Sequence, residues 1–301
     1  MTGILELAIT LALSSSFFYG IGKVFDKKGL LGARLLVGVF YTLTVAVPIL
    51  LLYSALHGDM FTCRYGLLGI AQSAISGILQ LSIGTVFLYA SIKSIGAARA
   101  SVMSTTQVVF APLLSIAFFG ETISIQLLFG TSMIFLGLAL VSFGTPSSQE
   151  NLQLTTGRFG RGHVYGLLSG FFWGASYPLT RVASIELDSP AMASFFSYLF
   201  AVLTILIVLM FSRSKGKFEL KRASKIYLSF SGTLRTIAIL ARSTALSLAP
   251  VVLVTPFASL SPLATVFLSY IIMQNVELIN RNVVFGALAA VIGAITIALF
   301  A

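Results

Sequence analysis

Two arginines lie inside an apolar stretch that has no other charge. Arg235 and Arg242 fall in a predicted helix at roughly 225–248, and their spacing of seven places both on one face. A charged side chain near the bilayer centre costs roughly 2.5–3.5 kcal/mol, so such a residue usually faces water or a partner. Because a guanidinium can grip a carboxylate or phosphate through two hydrogen bonds, the pattern favours a site for an anionic group.

The acidic residues decide what Arg235 can pair with. All nine lie in or near predicted loops or helix ends, which predicts that Arg235 has no buried carboxylate partner. Two structural alternatives stay open: Arg235 contacts carbonyl oxygens at a broken helix, or it meets Glu6 across the bundle. Arg242 lies nearer the helix end, and its long side chain could reach the membrane interface.

A polar stripe runs along a second apolar stretch. Gln72, Ser76 and Gln80 recur at intervals of four, which places them on one helical face, and Gln107 is a similar amide in the next stretch. Such a stripe faces inward. It either lines a path for a solute or hydrogen-bonds neighbouring helices.

Two pairs of residues that contain aromatic side chains also have helical spacing. Trp173 and Tyr177 lie four residues apart, as do Tyr19 and Lys23. Each pair either walls a cavity with amphipathic rings or belongs to ordinary packing and interfacial anchoring. The anchoring interpretation is the stronger one for Lys23, which is predicted to lie near the cytoplasmic boundary.

The elements that position these residues follow from composition. Hydrophobic residues make up 57% of the 301 and charged residues 9%, against about 25% charged in soluble domains. Most of the 19 Lys and Arg residues, Lys23 included, fall in predicted loops on one face. We therefore interpret the net charge of +10 as a signal of membrane orientation, with the lipid bilayer as partner and no nucleic acid.

Segments of about 20 mostly apolar residues predict ten membrane spans. Five occupy residues 1–145, a polar linker rich in Gly and Ser follows at 146–162, and five occupy residues 163–301. The predicted spans lie at roughly 4–25, 30–55, 66–91, 96–118, 122–143, 163–184, 190–212, 225–248, 250–273 and 279–300.

The two halves repeat each other. Glu121, Gly130 and Gly137 recur with identical spacing as Glu277, Gly286 and Gly293, and the run Ser15 to Gly20 resembles the run Ser169 to Gly174. Because each half holds an odd number of spans, the second must enter the membrane inverted relative to the first. The sequence therefore predicts an all-α membrane protein with ten transmembrane helices as two inverted five-helix repeats.

This pattern resembles the EamA-type branch of the drug/metabolite transporter superfamily. The resemblance covers nearly the whole chain and depends most on the repeated Glu and Gly motif. It implies a central cavity between the halves and carriage of a metabolite. Small four-helix relatives use a buried glutamate in the first helix, whereas residues Leu11 to Gly20 contain no acid here. The lack of an acid in mid-span favours exchange or facilitated diffusion over proton coupling.

The resulting expectation is a secondary transporter for a small anionic or zwitterionic metabolite, such as an amino acid or a phosphorylated compound, with alternating access. No nucleophile–base pair, metal-ligand spacing or cofactor motif is evident, so we expect no enzyme activity, no metal and no cofactor. The alternatives are a non-transporting receptor and a lipid-acting membrane enzyme. We expect a multi-pass protein of a prokaryotic plasma membrane, as a monomer or homodimer. The predicted substrate-binding residues are Arg235, Arg242, Gln80, Gln107, Trp173, Tyr177, Tyr19 and Gln72.

Overall fold

A computed structural model describes residues 2–144, 160–211, 220–272 and 281–300. All regular structure in these residues is helical. The helices are α1 (Thr2–Leu30), α2 (Leu35–Leu56), α3 (Asp59–Thr62), α4 (Leu67–Gly77), a π-helical segment (Ile78–Gly84), α5 (Thr85–Ile95), α6 (Ala97–Ser104), α7 (Gln107–Phe119), α8 (Ile125–Gly144), α9 (Arg161–Glu186), α10 (Pro190–Phe211), α11 (Arg222–Leu248), α12 (Val251–Ala258), α13 (Ser261–Ile272) and α14 (Arg281–Phe300).

Six helical stretches of the described residues are long and apolar enough to cross a membrane, and two shorter apolar helices accompany them. The prediction of an all-α, multi-pass membrane protein is therefore confirmed, while the count of ten spans stays a prediction. The six stretches are Gly3–Leu30, Leu35–Leu56, Leu67–Ile95, Arg99–Phe119, Pro190–Phe211 and Val251–Leu268, and the shorter helices are Ile125–Leu140 and Phe285–Ile297.

The distribution of side chains is the reverse of that in a soluble protein. Large apolar residues such as Phe118, Phe285 and Leu299 are exposed, whereas Ser, Thr, Gln and several charged side chains are buried. Lipid accepts apolar side chains, and each buried polar group needs an internal partner. The polar side chains therefore gather between the helices.

The third predicted span contains a local change of helix type. The π-helical segment Ile78–Gly84 interrupts the α-helix between two glycines that make close contacts. A Cβ on Gly77 would lie 2.1 Å from the carbonyl oxygen of Ser197, and one on Gly84 would lie 2.4 Å from Trp173 Cδ1. Because these glycines have no side chain, α10 and α9 can pack directly against the backbone of the π-helical segment, which carries the buried Gln80.

The fourth predicted span of each half is broken near its middle. α6 ends at Ser104 and α7 begins at Gln107, and α12 ends at Ala258 and α13 begins at Ser261. At both breaks the backbone N–H groups donate to the carbonyl three residues earlier, as in a 3₁₀ turn. The breaks meet, because Gln107 Nε2 donates to Ser259 Oγ at 3.2 Å.

The last helices of the two halves cross through the repeated glycines. A Cβ on Gly137 would lie 2.5 Å from the Gly286 carbonyl oxygen, and one on Gly293 would lie 2.6 Å from that of Gly130. The earlier glycine of each helix contacts the later glycine of the other. α8 and α14 therefore run antiparallel, with backbones too close for any side chain between them.

The first helix is longer than the predicted first span. α1 continues to Leu30, and Lys23 and Asp26 are buried in it with 1% and 0% of their surface exposed. The placement of Lys23 in a boundary loop is therefore wrong. Most of the predicted linker 146–162 and Glu277 lie outside the described residues, so the domain boundaries stay predictions.

Candidate functional site

A buried ion pair joins α1 to α11. Arg235 Nη1 lies 3.3 Å from Asp26 Oδ2, and the two side chains are 2% and 0% exposed. Asp26 Oδ1 also accepts hydrogen bonds from Tyr89 at 2.6 Å and Ser231 at 2.5 Å. Both carboxylate oxygens therefore have partners, which is the condition under which a buried ion pair is tolerated.

The guanidinium of Arg235 has further partners. Nη1 donates to Tyr89 at 3.1 Å, and Nη2 donates to Thr85 at 3.2 Å and to the Tyr19 hydroxyl. The prediction that Arg235 lacks a buried carboxylate is thus wrong. The inference about coupling relied on a missing acid and loses that support, while the coupling mode itself stays a prediction. Glu6 is exposed and is not its partner. The guanidinium of Arg235 therefore makes its hydrogen bonds to side chains of the protein itself.

Arg242 is buried without a carboxylate partner in the described part of the chain. Only 2% of its surface is exposed, its Cζ lies 4.6 Å from the centre of the Tyr177 ring, and Nη1 donates to the Tyr177 hydroxyl at 3.3 Å. Nε and Nη2 are buried and have no hydrogen-bond partner among the described residues. The side chain points inward, so the idea that it reaches the interface is wrong. Two cationic donors are left open inside the bundle.

Two glutamine amides bond to neighbouring residues of α9, the helix that carries Tyr177. Tyr177 donates to Gln107 Oε1 at 3.2 Å, and Ser176 donates to Gln80 Oε1 at 3.0 Å. Gln80 Nε2 is buried and has no partner in the described residues. Since Ser176 and Tyr177 are neighbours on α9, both amides meet the same helix.

The aromatic residues Tyr19 and Trp173 of the repeated motif contact each other. The rings of Tyr19 and Trp173 contact edge to face with centroids 5.0 Å apart. Lys23 Nζ lies 5.6 Å from the centre of each ring, and Trp173 Nε1 is a further buried donor without a partner in the described chain. Equivalent positions of the two halves therefore face each other.

The ammonium of Lys23 rests on three hydroxyls from the broken helices. Nζ donates to Ser101 at 2.9 Å, Ser104 at 3.4 Å and Ser261 at 3.1 Å. Ser101 and Ser104 belong to α6 and Ser261 begins α13. Lys23 thus links α1 to the broken helices of both halves.

The predicted residues divide into a connected set and one outlier. Arg235 contacts Tyr19, which contacts Trp173, and Arg242 contacts Tyr177, which contacts Gln107. Gln80 contacts Ser176 on the same helix α9. Gln72 is half-buried earlier on α4. Within the described residues its Oε1 has no partner, and no contact brings it into the set.

Sequence reasoning missed Asp26, and it placed Lys23 at the surface. A usable signal was their position relative to Tyr19, because residues 19, 23 and 26 lie at intervals of four and three on one helical face. Ending the span at about residue 25, just before Asp26, concealed that face.

Comparisons with known proteins identify the family. The model of the EamA-like transporter family matches residues 6–143 and 160–299, which is one match for each half. A solved crystal structure shares the fold with a TM-score of 0.73 and 15% sequence identity, covering 99% of both chains. No match was found among curated protein sequences. The two family matches span nearly the whole chain, so this protein belongs to the EamA-like transporter family.

Proposed function

We propose that this protein is a secondary transporter that binds a small anionic or zwitterionic metabolite at Arg242 and carries it across the membrane. The observation that carries the proposal is a fully buried guanidinium whose Nε and Nη2 have no partner in the described residues. Leaving such donors unpaired in an apolar interior is costly, and hydrogen bonds from charged donors are worth about 1.5–3 kcal/mol each. A carboxylate or phosphate bound there would satisfy both.

The neighbouring side chains suit a bound solute. Gln80 Nε2 and Trp173 Nε1 add two buried donors without partners in the described chain, and Tyr177 supplies a ring and a hydroxyl. A site with convergent donors and aromatic walls fixes both the orientation and the apolar part of a ligand. In this proposal Arg235 does not contact the solute, because Asp26 and three hydroxyl groups occupy it.

Alternating access is the proposed mechanism, with ten spans arranged as two inverted halves. Two contacts support the inversion: α8 and α14 cross antiparallel through equivalent glycines, and Tyr19 meets its counterpart Trp173. The ion pair between Asp26 and Arg235 would close one end of the cavity by joining α1 to α11. Rocking of one half against the other would separate these contacts and expose the site to the opposite face.

The proposal is tested by flux in proteoliposomes. Purified protein would be reconstituted and offered labelled amino acids, sugar phosphates and nucleotide sugars. We expect saturable uptake of at least one anionic or zwitterionic solute. Binding without flux would favour a receptor, and chemical conversion of a lipid or solute would favour an enzyme.

The variant Arg242→Gln addresses the site itself. Losing two charge-assisted hydrogen bonds, about 3 kcal/mol in total, should reduce affinity roughly 100-fold. Arg64→Gln is the matched control, because Arg64 is a surface residue whose side chain is 78% exposed. Unchanged affinity in Arg242→Gln would refute Arg242 as the binding residue.

A further inference from the structure

Apolar side chains close the route from Arg242 towards the end of α11. Leu246 lies one turn beyond Arg242 on the same face of this helix. It is buried in an apolar cluster together with Val251 and Val252, the residues that begin α12. Tyr177, whose hydroxyl accepts from Arg242 at 3.3 Å, belongs to the same cluster. The first turn of α12 therefore covers this side of the arginine.

A carboxylate of the other half holds the first turn of α12 in place. Glu121 Oε1 accepts from the backbone N–H of Val251 at 3.0 Å, and Oε2 accepts from that of Val252 at 3.1 Å. Arg181 Nη1 lies 3.7 Å from Glu121 Oε1, on α9 one turn beyond Tyr177. Glu121 belongs to the first half of the chain, whereas α9 and α12 belong to the second. Its side chain therefore joins the two halves at this end of the site.

The short helix α12 is built to move as a unit. It has only 8 residues, with Pro250 directly before it and the break at Ser259 directly after it. Residues at the ends of an element are the ones that absorb changes in φ and ψ when a segment swings. The two amides held by Glu121 are therefore at the end of a segment that has a hinge at each side.

A different contact between the halves lies on the other side of Arg242. Arg235, which pairs with Asp26, precedes Arg242 by seven residues on α11, or roughly 10 Å along the helix axis. Glu121 lies in the opposite direction, because the α12 amides that it binds follow the end of α11. The open donors of Arg242 are therefore placed between two contacts that join the halves.

We infer that Glu121 is a positioning residue that keeps the α12 end of the site closed, and that its release from the α12 amides opens a route to Arg242 from that face of the membrane. This inference rests on the proposed function and adds the residue that controls access to its site. When the carboxylate releases the amides, the first turn of α12 swings away from Leu246, while the pair of Asp26 and Arg235 keeps the opposite end closed. The distribution of Lys and Arg predicts that the α12 end faces the exterior.

The test measures how fast a thiol near Arg242 is labelled from each face of the membrane. Leu246→Cys in a Cys63→Ser background supplies a single thiol, because Cys63 is the one cysteine of the sequence. Methanethiosulfonate reagents that do not cross membranes would be applied to intact cells and, separately, to inside-out vesicles. A cationic and an anionic reagent would both be used. Opening of the route raises both rates, whereas a change of local charge raises one and lowers the other.

Glu121→Gln should raise both labelling rates from the external face about tenfold, because it removes the charge that strengthens two hydrogen bonds at a helix N-terminus. Arg181→Gln leaves these bonds in place and removes only a partly exposed ion pair, so we expect about a threefold rise. Glu186→Gln is the matched control at an exposed position near the end of α9, and it should leave the rates unchanged.

Asp26→Asn separates control of access from a general loosening of the fold. We expect it to destabilise the protein more than Glu121→Gln does, yet it should not raise labelling from the external face, because Glu121 keeps its contacts there. Rates in Glu121→Gln no higher than in Glu186→Gln, or an equal external rise in Asp26→Asn, would overturn the inference. Should Glu121→Gln fail to fold, unchanged rates in Arg181→Gln would overturn it instead.

Failure of this inference can be told apart from failure of the proposed function. Solute flux that persists while Glu121→Gln is labelled no faster than its control would refute only the role of Glu121. Absence of flux for every solute, or Arg242→Gln that behaves like the unmodified protein, would refute the transport proposal itself, whatever the labelling rates.

Discussion

Replacing Asp26 with Asn tests the ion pair between α1 and α11. The carboxylate is fully buried and accepts from Tyr89, Ser231 and Arg235. Asn keeps the size of the side chain but removes the charge and puts an NH₂ group in the place of one acceptor oxygen. When that NH₂ faces Arg235, two donors oppose each other and the guanidinium charge is uncompensated.

The expected loss in the free energy of unfolding follows from removing one member of a buried ion pair and leaving the other. Breaking such a pair typically costs 3–5 kcal/mol. Arg235 retains the hydroxyls of Tyr19, Tyr89 and Thr85 as acceptors, so we expect about 3 kcal/mol, near the lower end. Arg235→Gln should cost a similar amount because it leaves Asp26 without its counter-ion.

The assay is chemical unfolding in mixed micelles for both single variants and the double variant. We expect the double variant to lose less than the sum of the single losses, with a coupling energy of about 1–3 kcal/mol. Arg64→Gln is the control: it breaks an exposed pair with Asp188, at 3.8 Å, and should change the free energy of unfolding by less than about 1 kcal/mol. Additive losses, or a loss in Asp26→Asn no larger than in the control, would refute the reasoning.

Two further predictions concern the motif that the halves share. Gly137→Ala should lower the thermal midpoint markedly, because the new Cβ would lie 2.5 Å from the carbonyl oxygen of Gly286, whereas Gly3→Ala has nothing within 4 Å and should be neutral or slightly stabilising. Equal midpoints for the two variants would argue against the close crossing of α8 and α14. Glu121 accepts from the first two amides of α12 at 3.0 and 3.1 Å, so Glu121→Gln should cost about 0.5–2 kcal/mol on unfolding. Glu186→Gln, at an exposed position, is its control, and a matching loss there would contradict the capping role.

Several features of the protein could be predicted without coordinates because they depend on composition and spacing. The apolar fraction requires lipid as the solvent, and the repeated motifs around Gly130 and Gly286 give two related halves. The stripe containing Gln80 was predicted to face inward, and the structure buries Gln80 against α9. These predictions use local periodicity, which a helix carries wherever it packs.

The partners of the charged residues could not be predicted in the same way. Asp26 and Arg235 are far apart in the sequence, and only the packing of α1 along α11 brings them within 3.3 Å. From composition alone, Lys23 and Asp26 resembled the charged end of a helix.

The sequence by itself therefore determined the membrane class, the two halves and the inward orientation of Gln80. The tertiary structure decided which arginine has its charge matched and which has open donors. The physical reason is that the attraction between two charges depends on their distance in space, and helix packing, rather than spacing along the chain, sets that distance.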